Sequence, residues 1–459
     1  MSLYALGLSE AAAEIREGRI SSVELVAACL DRVAEVDGDV QAWAFLDRDH
    51  ALKQAKDLDE HRAHGRPVGP LHGVPVAIKD VFDTGDMPTE FGSPIWAGRT
   101  PRRDAVAVAR LRAAGAVIMG KTVTAEYAYF HPGKTRNPHD KARTPGGSSS
   151  GSAAAVGALM VPGAIGTQTN GSTIRPAAYC GVVGFKPTHG LIPRTGALLL
   201  SRALDHVGTF ARTVEDAALL AEVMAGFDEE DLDTRPIARP PLASTAISEP
   251  PLPPRFAFVR SPMWDQAEPV TREAFAELVE ALGEAASEVD IGQSFGRAID
   301  LHRTVMEVDM AHNLHRDYEK GRDQFSDPLR KLVERARTVK AVEYTAALAG
   351  SATLNAALDS VFDEYDALLT PAAPGEAPRG EATGNPVFCT TWTYLGTPAI
   401  TLPLLRSDAG LPLGVQLVGR RGNDARLLRT ARWLVKTLGQ GGSGKPAART
   451  KSKRKDQMA

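Results

Sequence analysis

Cysteine is scarce here: Cys29, Cys180 and Cys389 are the only three in a chain of 459 residues. An odd, widely spaced set argues against a disulfide framework and fits a reducing compartment. Charge of one sign is also missing, because 53 Lys and Arg nearly balance 56 Asp and Glu, for a formal net charge of −3. That balance gives the body of the chain no electrostatic case for binding nucleic acid or a membrane surface. Long apolar runs are absent too. The longest weakly polar stretch, residues 153–166, is too short to span a bilayer and contains Pro162 and several glycines. Glu10, Glu14, Arg16 and Glu17 lie within the first helical pattern, which is unlike a signal peptide. These features lead to the expectation of a soluble cytoplasmic protein. Metal-binding motifs are lacking as well. Asp309, His312, His315 and Glu319 stand at helical spacing but match no zinc pattern and read as a solvated helix face, so no metal or cofactor is implied.

What is present is ordinary for a globular α/β protein: 43% hydrophobic and 24% charged residues. Ser21 and Glu24 form a capping box ahead of a helix with Leu25, Val26, Cys29, Leu30 and Val33 on one face. Residues 74–78 read as a buried strand. Asp104 is placed to cap a helix through Leu111 that stops near Gly115, with a strand following at 117–119. Residues 153–160 read as helix and 164–169 as extended. This alternation predicts a mostly parallel sheet covered by helices. Seven prolines between Pro236 and Pro254 mark an irregular connection. Beyond it, residues 256–259 resume a strand, and Phe275, Leu278, Val279 and Leu282 outline a helix face. Residues 300–365 read as charged helix, and Leu368, Leu369 and 414–419 as late strands. From Gly441 the chain is Gly/Ser-rich and then basic, the composition of a disordered terminus.

Three segments carry chemistry. Gly73-Val74-Pro75-Val76-Ala77-Ile78-Lys79-Asp80 ends a strand in a lysine. Gly146-Gly147-Ser148-Ser149-Ser150-Gly151-Ser152 and Gly166-Thr167-Gln168-Thr169-Asn170-Gly171-Ser172 are glycine-rich loops bearing serines. Serine needs a base to become a nucleophile, and a lysine serves if its ammonium loses a proton near neutral pH. Glycines let the backbone approach a substrate closely, and successive N–H groups of Thr169, Asn170, Gly171 and Ser172 can converge on one oxyanion. Two other patterns compete. Residues 115–122 fit G-x-x-x-x-G-K-[ST], which would place Lys121 on a nucleotide phosphate. Their spacer is apolar and reads as a strand where a flexible loop is required. Residues 147–151 fit G-x-S-x-G around Ser149, but a polar turn precedes them and no strong candidate for the partner His follows. Ser149 reads as a residue that supports the loop.

Taken together, the three segments resemble the amidase signature family. That family cleaves amides with a Ser–cis-Ser–Lys triad. The resemblance implies Ser172 as nucleophile, Ser148 as the bridging serine in a cis linkage, and Lys79 as base. It runs on through residues 175–188, weakens over 217–365, and returns at 368–374 and 396–424. It implies an α/β fold with a large mixed, mostly parallel β-sheet sandwiched by α-helices. One domain would cover residues 1–440, with 217–395 shaping the substrate pocket. Two positions depart from the common pattern: Gln168 stands where many members have Asp, and Asn170 where many have Gly. Residues 166–176 are similar to the bacterial malonamidases, whose arginine at this place holds a substrate carboxylate. By that likeness Arg175 is either a carboxylate clamp or a structural arginine bonded to loop carbonyls. The implied activity is hydrolysis of small linear amides such as malonamate, without cofactor; a homodimer is compatible with it. The alternative is the glutaminase component of a tRNA-dependent amidotransferase, although Gln168 and Ile174-Arg175 differ from that component's usual G-S-D-T-G-G-S-I-R.

Overall fold

Eleven strands make one sheet in the computed structural model, which describes residues 2–440. The basic tail expected from residue 441 onward lies outside the described residues. Along the chain the strands are β1 (Trp43–Leu46), β2 (Pro75–Lys79), β3 (Val117–Thr122), β4 (Gly163–Gln168), β5 (Val183–Lys186) and β6 (His206–Ala211). Then come β7 (Phe256–Val259), β8 (Ala286–Val289), β9 (Ala367–Pro371), β10 (Ala399–Arg406) and β11 (Pro412–Val418). Their order across the sheet is β1-β3-β2-β4-β6-β5-β10-β11-β9-β7-β8.

The expected large mixed sheet between helices is therefore present, but it is not mostly parallel. Four pairings are parallel, β2 with β3 and β4, and β7 with β8 and β9. The other six are antiparallel. The strand–helix–strand alternation visible in the sequence describes the two flanks. The centre is built from strands β5, β6, β10 and β11, paired antiparallel; of these only β10 and β11 are joined by a short turn.

Strands β2, β3 and β4 are buried at every position, as parallel strands covered on both faces must be. Because β2 and β4 run side by side in parallel, Ile78 opposite Ile165, their carboxyl ends finish at the same edge of the sheet. That edge is where α/β folds place ligands. The helix Ser150–Gly157 leaves it with nearly every side chain buried, which its small residues Ala153, Ala154 and Ala155 permit.

Several local expectations hold. Ser21 accepts from the Glu24 N–H and Glu24 bonds back, which starts the helix Ser22–Val40. Phe275 and Leu278 are buried on the helix Pro269–Leu282. Two expectations are corrected. Asp104 does not cap the helix Val106–Ala113. Its carboxylate accepts from the Gly85 N–H and from Arg112 Nε, since the chain stays extended one residue further to Ala105. The proline-rich connection contains the short helix Leu242–Ile247, which starts directly after Pro241, where a missing N–H costs nothing.

Candidate active site

Lys79 closes β2 and is fully buried. Its Nζ lies 2.8 Å from Ser148 Oγ and donates to Thr167 Oγ1 at 2.8 Å. Burial holds the Lys79 pKa well below the ordinary lysine range, with the Asp205 carboxylate opposing in part. Adjacent Asp80 does not neutralise it. Successive strand residues point to opposite faces, and Asp80 is paired with Lys121 at 3.0 Å. A second buried lysine gives a useful contrast. Burial pushes Lys186 down to about 7, yet its Nζ donates only to the carbonyls of Thr397 and Pro187. Among the described residues, Lys79 alone combines a disfavoured charge with a serine hydroxyl.

Ser148 is buried, and the Gly147–Ser148 peptide bond is cis. Arg175 Nη2 donates to the Gly147 carbonyl at 2.7 Å. Gly146 has φ +80°, and a Cβ there would fall 2.8 Å from Pro176 Cα, so only glycine fits that turn. Ser149 Oγ donates to the Thr167 carbonyl at 3.2 Å, the loop-supporting role its sequence context suggests.

Ser172 is 7% exposed, and its hydroxyl makes no hydrogen bond among the described residues, with Ser148 included. The backbone N–H groups of Thr169, Asn170, Gly171 and Ser172 likewise have no acceptor among the described residues. The loop that carries them is held from outside. Gln168 Oε1 accepts from the Thr173 and Ile174 N–H groups at 2.8 and 3.0 Å, and its Nε2 donates to Thr393 Oγ1 at 2.9 Å. Thr393 Oγ1 donates to the Asn170 carbonyl, and Thr390 Oγ1 to Asn170 Oδ1. His302 Nε2 is 2.8 Å from the Thr169 carbonyl, which requires the proton on that nitrogen. Burial pushes His302 down to about 4. Asp205 accepts from Thr169 Oγ1 at 2.6 Å and from the Leu200 and Ser201 N–H groups. Burial raises it to about 6 against those hydrogen bonds.

Arg175 is buried. Its Nε donates to the Thr383 carbonyl at 2.7 Å and its Nη2 to Gly147, while Nη1 is buried without a partner. Two of its nitrogens thus hold loops, as a structural arginine would, and one is left over. Arg175 and Ser172 border a small, nearly closed pocket whose apolar wall includes Tyr129, Phe130, Met306 and Met310.

The remaining candidates are placed elsewhere. Lys121 is buried on β3 and occupied by Asp80, the Pro88 carbonyl and Thr89, which fits the strand reading and leaves it unable to reach a phosphate. Asp309 accepts from Ser201 and Tyr344, while His315 faces Glu319 at 3.8 Å. Among the described residues no group of three or more His, Cys, Asp or Glu side chains is placed to hold a metal. Cys29, Cys180 and Cys389 are buried free thiols. Sequence reasoning missed Thr167, Asp205, His302, Thr390 and Thr393. The one available signal was Thr167, which shares a glycine-rich segment with Ser172. The others lie far along the chain, in segments with no motif.

Among the described residues no helix is long and apolar enough to cross a membrane. The Amidase family model matches residues 24–428. The A component of the glutamyl-tRNA(Gln) amidotransferase of Chloroflexus aurantiacus is 35% identical, over 93% of this chain and 95% of its own length. Among solved structures, the native peptide amidase from Stenotrophomonas maltophilia superposes with a TM-score of 0.82 at 28% identity, covering 95% and 97% of the two chains. A 6-aminohexanoate cyclic dimer hydrolase complexed with substrate gives 0.83 at 27% identity, covering 95% and 98%. The chain belongs to the amidase signature family and is an enzyme of amide C–N bonds.

Proposed function

We propose that Ser172 is the nucleophile, Ser148 the bridging hydroxyl and Lys79 the base in cleaving the carboxamide of a small, carboxylate-bearing substrate. The observation that carries this reading is the buried Lys79 amine, 2.8 Å from Ser148 Oγ, with its charged form disfavoured by burial. Neutral Lys79 takes the Ser148 proton while Ser148 takes that of Ser172. Ser172 Oγ bonds to the amide carbon, and N–H groups of Thr169 to Ser172 stabilise the oxyanion. The proton returns through Ser148 to the nitrogen, the C–N bond breaks, and ammonia leaves. Water, activated by the same relay, then hydrolyses the ester on Ser172. The open Ser148–Ser172 contact closes when substrate binds, a common behaviour of catalytic hydrogen bonds. The spare Nη1 of Arg175 accounts for the carboxylate preference. A buried unpaired N–H costs roughly 1–3 kcal/mol, and a substrate carboxylate would satisfy it.

Glutamine meets this description, and the curated relatives favour it: the chain would act as the ammonia-producing component of a glutamyl-tRNA amidotransferase. The second reading is free-standing hydrolysis of half-amides such as malonamate. It is favoured by the run Thr173-Ile174-Arg175, which sets the arginine one place later than in the usual glutaminase pattern. A panel of glutamine, malonamate and uncharged aliphatic amides separates the two. Glutamine turnover with copurifying partner proteins supports the first reading, and half-amide turnover by the lone chain supports the second. Fluorophosphonate labelling away from Ser172, with activity retained by Lys79→Ala, sinks both.

A further inference from the structure

The loop 169–172 presents its N–H groups only if its carbonyls are turned the other way. In a trans peptide unit the C=O and the following N–H point in opposite directions. The Thr169 carbonyl is held by His302 Nε2 at 2.8 Å, which turns the Asn170 N–H away from the helix Ala298–Asn313. The Asn170 carbonyl is held by Thr393, which fixes the Gly171 N–H in the same manner. His302 is 1% exposed and reaches the loop across 133 positions of sequence. Met306 and Met310 follow on the same helix at four-residue intervals, and both border the pocket beside Ser172.

We propose that His302 is a positioning residue for the reaction: by holding the Thr169 carbonyl, it aims the Asn170 N–H at the oxyanion. This rests on the assignment of residues 169–172 as the oxyanion hole. A buried histidine that merely satisfied a loop carbonyl would contribute to folding alone. A tether that aims an oxyanion donor affects the transition state more than the bound substrate.

The test compares wild type with His302→Phe, which removes the donor, and His302→Gln, which keeps one. Each variant is assayed for kcat, KM, thermal midpoint, and inhibition by the product acid and by the aldehyde analogue of the substrate. The aldehyde forms a tetrahedral adduct with its oxygen in the hole. His302→Phe should lower kcat about ten- to a hundred-fold, less than or comparable to deleting an oxyanion donor outright. KM and product inhibition should hold, aldehyde affinity should fall in step with kcat/KM, and His302→Gln should recover part of the loss. Unchanged kcat and aldehyde affinity in His302→Phe overturn the proposal. So does a parallel fall in product binding and thermal midpoint that His302→Gln does not relieve. Should His302→Phe not fold, His302→Met replaces it, and equal turnover of His302→Met and His302→Gln overturns the idea. Lys79→Ala separates the two levels. If it is inert while His302→Phe is fully active, only the tether is wrong; if it is active, the triad itself is wrong.

Discussion

Lys79 is defined by what surrounds it more than by its own side chain. Burial strips the ammonium of water, and no carboxylate replaces that water at hydrogen-bonding distance. Replacing it with alanine should reduce kcat/KM by about 10²–10⁴-fold, the usual range for a general base, measured with the amide the panel identifies. The sign of its pH dependence follows from Asp205. The ionised Asp205 carboxylate raises the Lys79 pKa, so Asp205→Asn should lower it further. The rising limb of kcat/KM, which reports loss of the Lys79 proton, should then move to lower pH. A limb that stays put or moves up would disprove the electrostatic link. Arg175→Lys should slow all substrates, because a lysine cannot reproduce the fork that holds Thr383 and Gly147, and should slow carboxylate-bearing ones more, because the spare Nη1 is lost as well. At this scale the sequence was informative where chemistry is local. Lys79, Ser148 and Ser172 each sit inside a recognisable run. His302, Asp205 and Thr393 come from residues that any soluble protein contains, and only folding brings them to the loop. Gln168 shows the same limit from the other side. It stands where many members have a charged Asp, yet its amide accepts two N–H groups and donates to Thr393, so it performs a hydrogen-bonding role that needs no charge.

Elements were legible in proportion to how strongly their own residues decide them. The capping box of Ser21 and Glu24 is a short-range signal, and the helix Ser22–Val40 begins there. Ser21→Ala should cost about 1 kcal/mol, read as a shift of the urea midpoint with unchanged slope. Strands β2, β7 and β9 stood out as compact apolar runs. Strand β1 did not, being four residues long and mostly half-exposed, and β5 and β10 contain Lys186 and Arg406, which dilute the pattern. The direction of strands was less legible still. Parallel flanks follow from intervening helices, whereas the antiparallel pairing of β5 with β10 joins segments more than two hundred residues apart. No local pattern encodes such a choice.

At the scale of the whole molecule, a buried ion pair ties neighbouring strands of the sheet close to the site. Lys121 on β3 and Asp80 just after β2 are both nearly solvent-free, and Thr89 and the Pro88 carbonyl complete the lysine's shell. Lys121→Met would leave the carboxylate buried and unmatched. Global unfolding by denaturant should show a loss of about 3–5 kcal/mol, with no effect attributable to nucleotide, which has no place there. The single helix Ala298–Asn313 has a different consequence. Its inner stripe both borders the pocket beside Ser172, through Met306 and Met310, and grips the Thr169 carbonyl, through His302. On the proposed roles, selectivity and speed would hang on one rod. Variants chosen to admit a bulkier substrate by trimming those methionines will tilt or loosen that rod, and turnover will suffer on small and large substrates alike unless the histidine's grip is restored.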